Sequence, residues 1–171
     1  KNLDIRSVRD AINHVLALAS EDRKRFGLFL DLPISYNISI SWLNNLAKVG
    51  IVNRGNEKEQ AYKFSKDLRI KSSSIKTKVG KLSGGNQQKV VLAKWLLTKP
   101  DILILDEPAR GIDIGAKQEI YTLIEQMAHE GKGVIVISSE MPALIGIRDR
   151  ISTVQEGVVK GNMNGKEITT D

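Results

Sequence analysis

Hydrophobic positions along this chain follow two rhythms. The first is the unbroken apolar run: VLAL within residues 14–20, ILIL at residues 102–105 and VIVI at residues 134–137. Short runs of this kind, bounded by polar turns, predict strands buried on both faces, as in a parallel sheet. The second is helical. Ile120, Leu123, Ile124 and Met127 share one face of a helix that Gly131 stops, and Ala61, Phe64 and Leu68 recur at i, i+3 and i+7. A further helix is expected from Ser83 to about Thr98, ending before Pro100, with short helices over residues 7–13 and 141–147. Residues 36–74 are polar, and Gly50, Gly55 and the KSSS run at residues 71–74 break them into two or three short helices. Residues 150–165 alternate and turn at Glu156–Gly157, which predicts a β-hairpin. Strand and helix alternate from Ile102 onward, so the expected class is α/β, with a parallel sheet and crossover helices. The expected organisation is a partial core over residues 1–35, a helical subdomain over 36–80 and the rest of the core over 81–171.

Composition narrows this little. A length of 171 residues suits one domain, alone or with a small subdomain. The absence of cysteine excludes disulfides and cysteine-held metal. No run approaches the ~18 apolar residues of a membrane span, and none reads as a signal peptide. A net charge of +6 is compatible with nucleic acid, nucleotide phosphates or an anionic membrane surface; a solvated lysine-rich surface is the plainer reading. A start at Lys1 rather than Met leads us to expect a fragment or a processed product.

Two motifs carry chemistry. ILILDEP, residues 102–108, is a hydrophobic strand ending in two acids, the pattern of a Walker B motif. Ligands gather at the carboxyl ends of parallel strands. Asp106 there is suited to Mg²⁺, which takes few carboxylates and keeps waters, and Glu107 to orienting or deprotonating a water. Alone, the motif is equally a strand ending in a solvated turn. LSGGNQQK, residues 82–89, places Ser83 at a helix start, with Gly84 and Gly85 letting backbone amides approach an anion. Alone, it is an ordinary serine N-cap. In sequence, one helix length apart, the two have the order and spacing of an ABC-type ATPase.

The stretch from LSGGNQQK through DILILDEPARGIDIGAKQEIY resembles the second nucleotide-binding domain of bacterial ABC sugar importers of the ribose, galactose and xylose type. EDRKRFGLFLDLPISYNI near the start and VISSEMPALIG near the end are similar to the same family, so the resemblance spans nearly the whole chain. It implies a P-loop NTPase fold with a helical subdomain, and an ATP-binding subunit coupling hydrolysis to monosaccharide import. It implies ATP and Mg²⁺ as cofactors, with Asp106 at the metal and Glu107 catalytic. Ser83, Gly84, Gly85, Gln87, Glu21, Asp113 and Ser139 would be nucleotide-binding. Domains of this family pair head to tail, so the signature at Ser83 would cover an ATP held by a partner domain. The implied partners are that domain, a membrane permease and, indirectly, a sugar-binding protein, at the cytoplasmic face of the bacterial inner membrane; no nucleic acid is expected.

The resemblance has departures. No Gly-x-x-x-x-Gly-Lys-Ser/Thr occurs, so the isolated chain is expected to be inactive as an ATPase. Ser139 stands where a histidine is usual, Glu21 where a glutamine is usual, and Ala109 where threonine is often found. The alternatives are a nucleic-acid-handling ABC ATPase and a non-catalytic interaction module. His14 and His129 lack metal-ligand spacing, Trp42 and Trp95 read as packing residues, and Arg23–Arg25 as a solvated face. Phe26, Leu28, Phe29, Leu30 and Leu32 suit either a core strand or a permease-docking surface.

Overall fold

The computed structural model describes residues 5–13, 15–140, 144, 146–147 and 149–164. It divides into two compact units, residues 1–137 and 138–171.

The first unit is built on a three-stranded parallel sheet. Its strands are β1 (Leu16–Ala19), β4 (Ile102–Asp106) and β5 (Gly133–Ile137), in the order β1-β4-β5. Leu18 is opposite Ile104, which in turn is opposite Ile135. A short helix α1 (Val8–Asn13) precedes β1. Helices α5 (Gly84–Leu96) and α6 (Ile114–His129) pack on β1 and β5 and on each other. They bury the Ala17, Ala19, Leu103 and Leu105 face, together with Ile120, Ile124 and Met127. The strands were expected to be buried on both faces; the structure buries one. Leu18, Ile135 and Ile137, which side chain alternation turns to the opposite face, are about half exposed. His14, at the start of the expected strand, lies outside the described residues.

Between β1 and α5 the chain forms α2 (Ile34–Ser39), α3 (Leu43–Leu46), strands β2 (Ala47–Lys48) and β3 (Ile51–Val52), and α4 (Arg54–Asp67). The expected i, i+3, i+7 face of α4 is present, with Ala61 and Leu68 buried. Gly55 was expected to interrupt a helix but lies in the first turn of α4. Asn53 caps that turn, its side chain accepting from the amides of Gly55 (3.0 Å) and Asn56 (3.1 Å). The buried carboxylate of Glu57 is satisfied by Ser39 Oγ at 2.6 Å and by Arg54 at 2.7 Å.

The apolar segment after β1 divides between the two readings offered for it. Leu28 is buried, whereas Phe26 is 66% and Phe29 54% exposed. Buried Asn37 holds the segment's backbone: its Oδ1 accepts from the amide of Phe29 (2.7 Å), and its Nδ2 donates to the carbonyls of Phe29, Leu32 and Pro33. The core reading therefore fits Leu28, and the surface reading fits the two phenylalanines.

The second unit contains an antiparallel hairpin of β6 (Arg150–Gln155) and β7 (Val158–Asn164). Glu156 and Gly157, both at positive φ, turn it as expected. The helix expected over 141–147 falls largely on residues outside those described.

Candidate functional site

Asp106 ends β4 with its carboxylate half buried, and among the described residues no side chain or amide pairs with it. Glu107 follows at φ +45°, its amide donating to the carbonyl of Ile137 at 2.9 Å. A left-handed conformation at a non-glycine residue costs about 1 kcal/mol, and such strain gathers at functional turns. Buried Ala109 anchors the loop, which returns through Gly111 to Asp113. Asp113 caps α6, its Oδ1 accepting from the amide of Ala116 at 2.9 Å.

Ser83 occupies the N-cap position of α5 but does not act as its side chain cap. Its Oγ accepts instead from Asn86 Nδ2 at 2.9 Å, so among the described residues no side chain oxygen caps the first turn. The positive end of a 13-residue helix is thus left ready for an anion. Gly85 has a second role that its motif did not reveal. A Cβ built there would lie 2.4 Å from Cβ of Ala116, so the starts of α5 and α6 cross where only glycine fits. That crossing brings Ser83, Gly85 and Asp113 to one cleft of ≈ 220 Å³, which Asn86, Lys89 and Glu119 also line.

Of the other expected residues, Gly84 packs beside Ile112 and the carbonyl of Gly111. Gln87 was expected to touch nucleotide. It is buried instead, donating through Nε2 to the carbonyls of Val79 and Leu82, both at 3.3 Å, so it shapes the turn entering Ser83. Glu21 forms an ion pair with Arg110, and its charge is therefore not left uncompensated. Ser139 is exposed and belongs to the second unit; beside it, Ser138 Oγ accepts from the amide of Glu140 at 3.1 Å. His129 is an exposed helix-end residue, its ring nitrogen 2.9 Å from the carbonyl of Glu125.

Three basic residues have positions that the sequence did not disclose. Arg23, expected to be solvated, is half buried and donates to the carbonyls of Arg110 (2.9 Å) and Gly111 (3.4 Å). Burial lowers its pKa from the ordinary value, with Asp22 opposing. Lys89, only 3% exposed, donates to Glu119 at 2.5 Å and to the carbonyl of Arg69 at 3.1 Å. This hydrogen bond and charge lower the carboxyl pKa of Glu119. Buried Lys94 donates to the carbonyl of Gly27 at 2.7 Å and lies 4.6 Å from the ring centroid of Trp95; burial pulls its pKa down to about 8. The available signal was the apolar density of α5: Lys89 and Lys94 flank the run VVLA, so a helix buried nearly all round takes them inside.

Comparison with known proteins agrees with this geometry. Residues 7–110 match the family model described as "ABC transporter". The chain is 45% identical, over its whole length, to the xylose import ATP-binding protein XylG of Geobacillus kaustophilus, covering 34% of that protein. It is 46% identical to the galactose/methyl galactoside import ATP-binding protein MglA of Escherichia coli, over 99% of this chain and 34% of that one. The chain thus spans about a third of the length of the curated relatives it matches. Among solved structures it is similar to a dimeric ATP-binding cassette in a post-hydrolysis state, bound to ADP and Pi. The TM-score is 0.75 at 21% identity, over 95% of this chain and 68% of that one. A nucleotide-free ATP-binding cassette from an ABC transporter is similar at TM-score 0.75 and 18% identity, over 91% of this chain and 63% of that one. With the parallel sheet, the DEP turn and the SGG helix start in this arrangement, and the family model matching well over half of its residues, the chain belongs to the ABC transporter family.

Proposed function

We propose that this chain is part of the ATP-binding subunit of a membrane importer that couples ATP hydrolysis to uptake of a monosaccharide. One observation carries the reading: the uncapped start of α5 and the loop from Asp106 to Asp113 converge at Ser83, Gly84, Gly85 and Asp113. Relatives named for xylose and galactose import support the substrate class. Residues 1–35 and 81–171 would form the ATPase core, and residues 36–80 the helical subdomain.

The residues present fit Mg²⁺-ATP. Among the described residues no cluster of three metal-ligating side chains exists, so an all-protein cage is not on offer. A single unpaired carboxylate at a strand end is what Mg²⁺ takes when phosphate oxygens and water supply the rest. Asp106 would hold the ion, which when bound neutralises phosphate charge. Glu107 would hold the attacking water and accept its proton. Ser83 and the amides of Gly84 and Gly85 would face the γ-phosphate of an ATP bound by a partner domain. Gln87 and Asp113 would shape that surface rather than donate to it. Glu21, held by Arg110, would lie at the site containing Glu107; Ser139 would be a nucleotide-binding residue where an imidazole is usual.

Exposed Phe26 and Phe29 would dock the permease, placing the protein peripherally on the inner membrane face. Among the described residues no helix is long and apolar enough to cross a membrane. A sugar-binding protein would be a partner only through the permease.

Steady-state ATPase activity of the full-length protein with its permease tests the reading. Ser83→Arg should remove most turnover, about a hundredfold for a lost transition-state donor. Glu107→Gln should cost less, because its site is the one where Glu21 replaces the usual glutamine. A larger loss from Glu107→Gln would make that site the working one.

A further inference from the structure

We infer that Arg23 is a positioning residue that fastens both walls of the Ser83–Asp113 cleft to the turn after β1. On one side its guanidinium donates to the carbonyls of Arg110 and Gly111, in the loop leading to Asp113. On the other it packs on Gly84: a Cβ added there would lie 2.9 Å from Arg23 Nη2. The backbone beneath is itself held. Asp22 caps the turn, accepting from the amides of Lys24 and Arg25, both at 3.1 Å. Gly27 at its far end packs on Arg23 and Val91, and its carbonyl accepts from Lys94 of α5. The Glu21–Arg110 ion pair joins the same two segments beside Arg23.

This arrangement holds Arg23 despite a cost. Among the described residues its buried Nε has no hydrogen-bond partner, and burial disfavours its charge. A lysine would present one ammonium where the fork now reaches two consecutive carbonyls. The same turn carries exposed Phe26. On the function proposed above, a shift of the permease-facing turn would therefore move Gly84 and the Arg110–Gly111 carbonyls together.

Hydrogen exchange on the full-length protein tests this without relying on turnover. The amides of Gln87, Arg110 and Ala116 are hydrogen-bonded within the two elements that Arg23 joins. In Arg23→Ala they should exchange about tenfold faster, while the Glu57 amide, bonded to the carbonyl of Asn53 at the start of α4, keeps its rate. Arg23→Lys should show the same direction at smaller size, and it carries the test if the alanine variant does not fold. Where the parent hydrolyses ATP, Arg23→Ala should lower kcat about tenfold at unchanged KM. Exchange at those three amides within twofold of the parent, or acceleration equal to that at Glu57, overturns the inference. A parent without ATPase activity overturns the proposed function instead, and the exchange result still decides the role of Arg23.

Discussion

The crossing of α5 and α6 at Gly85 gives the sharpest test of how the cleft is built. In Gly85→Ala the new methyl would lie 2.4 Å from Cβ of Ala116, whereas carbon atoms rest at about 3.8 Å. Both atoms sit directly on helix backbone, so no rotamer relieves the contact. The helix starts must part by about 1.4 Å or strain against their cores. Overpacking of this kind costs about 1–3 kcal/mol, offset by roughly 0.8 kcal/mol of helix propensity gained at residue 85. The expected net destabilisation is about 1 kcal/mol. Ala116→Gly alone should cost about 0.8 kcal/mol of propensity. The double variant restores the space and exchanges the propensities, so it should be close to the parent. The coupling energy of the cycle is then about 2 kcal/mol in favour of the pair. Urea unfolding followed by the fluorescence of Trp95, itself on α5, measures all four corners. A coupling below about 0.5 kcal/mol, or a double variant no more stable than Gly85→Ala, refutes the crossing as the reason for glycine.

Two further outcomes follow from the same contacts. Phe29→Asp should leave the fold within about 0.5 kcal/mol, because Asn37 holds that backbone while the ring is exposed, yet it should abolish co-purification of the full-length protein with its permease; assembly that survives rejects the docking surface. Lys94 gives a pH signature: its folded pKa of about 8 lies below the ordinary 10.5, so the unfolded chain binds the extra proton between these values and stability rises with pH across that window. Compared with Lys94→Met, the parent should gain on the order of 1–3 kcal/mol from pH 7.5 to 10.5; a flat difference curve contradicts the burial of that ammonium.

The parts of the fold that were legible are those where one physical signal dominates. The short apolar runs at 102–105 and 134–137, bounded by polar turns, are strands as expected, and Gly131 and Glu156–Gly157 punctuate the chain by backbone conformation. The β2–β3 hairpin was not legible. Its strands are two residues each, and Val49 and Gly50 at its turn both have positive φ. A β-branched residue in the left-handed region is disfavoured, so Val-Gly does not announce a hairpin as Asn-Gly does. The sheet's one-sided burial was hidden too, since an apolar run reads the same whether one face or both are covered. At the site, the sequence marked the residues of the two motifs but not what supports them. Arg23 and Lys94 act on carbonyl groups far along the chain, and main-chain acceptors leave no trace in side chain pattern. Gln87 is a polar residue inside a phosphate-type motif whose side chain turns inward to the carbonyls of Val79 and Leu82, an orientation that side chain pattern does not signal.

ATP-driven uptake tests the central claim most directly. The full-length protein, reconstituted with its permease and binding protein in liposomes containing Mg-ATP, would be given labelled xylose and, separately, labelled galactose. The account predicts accumulation of at least one sugar that requires ATP and that Ser83→Arg abolishes. Uptake that proceeds without ATP, or that Ser83→Arg leaves intact, would contradict it.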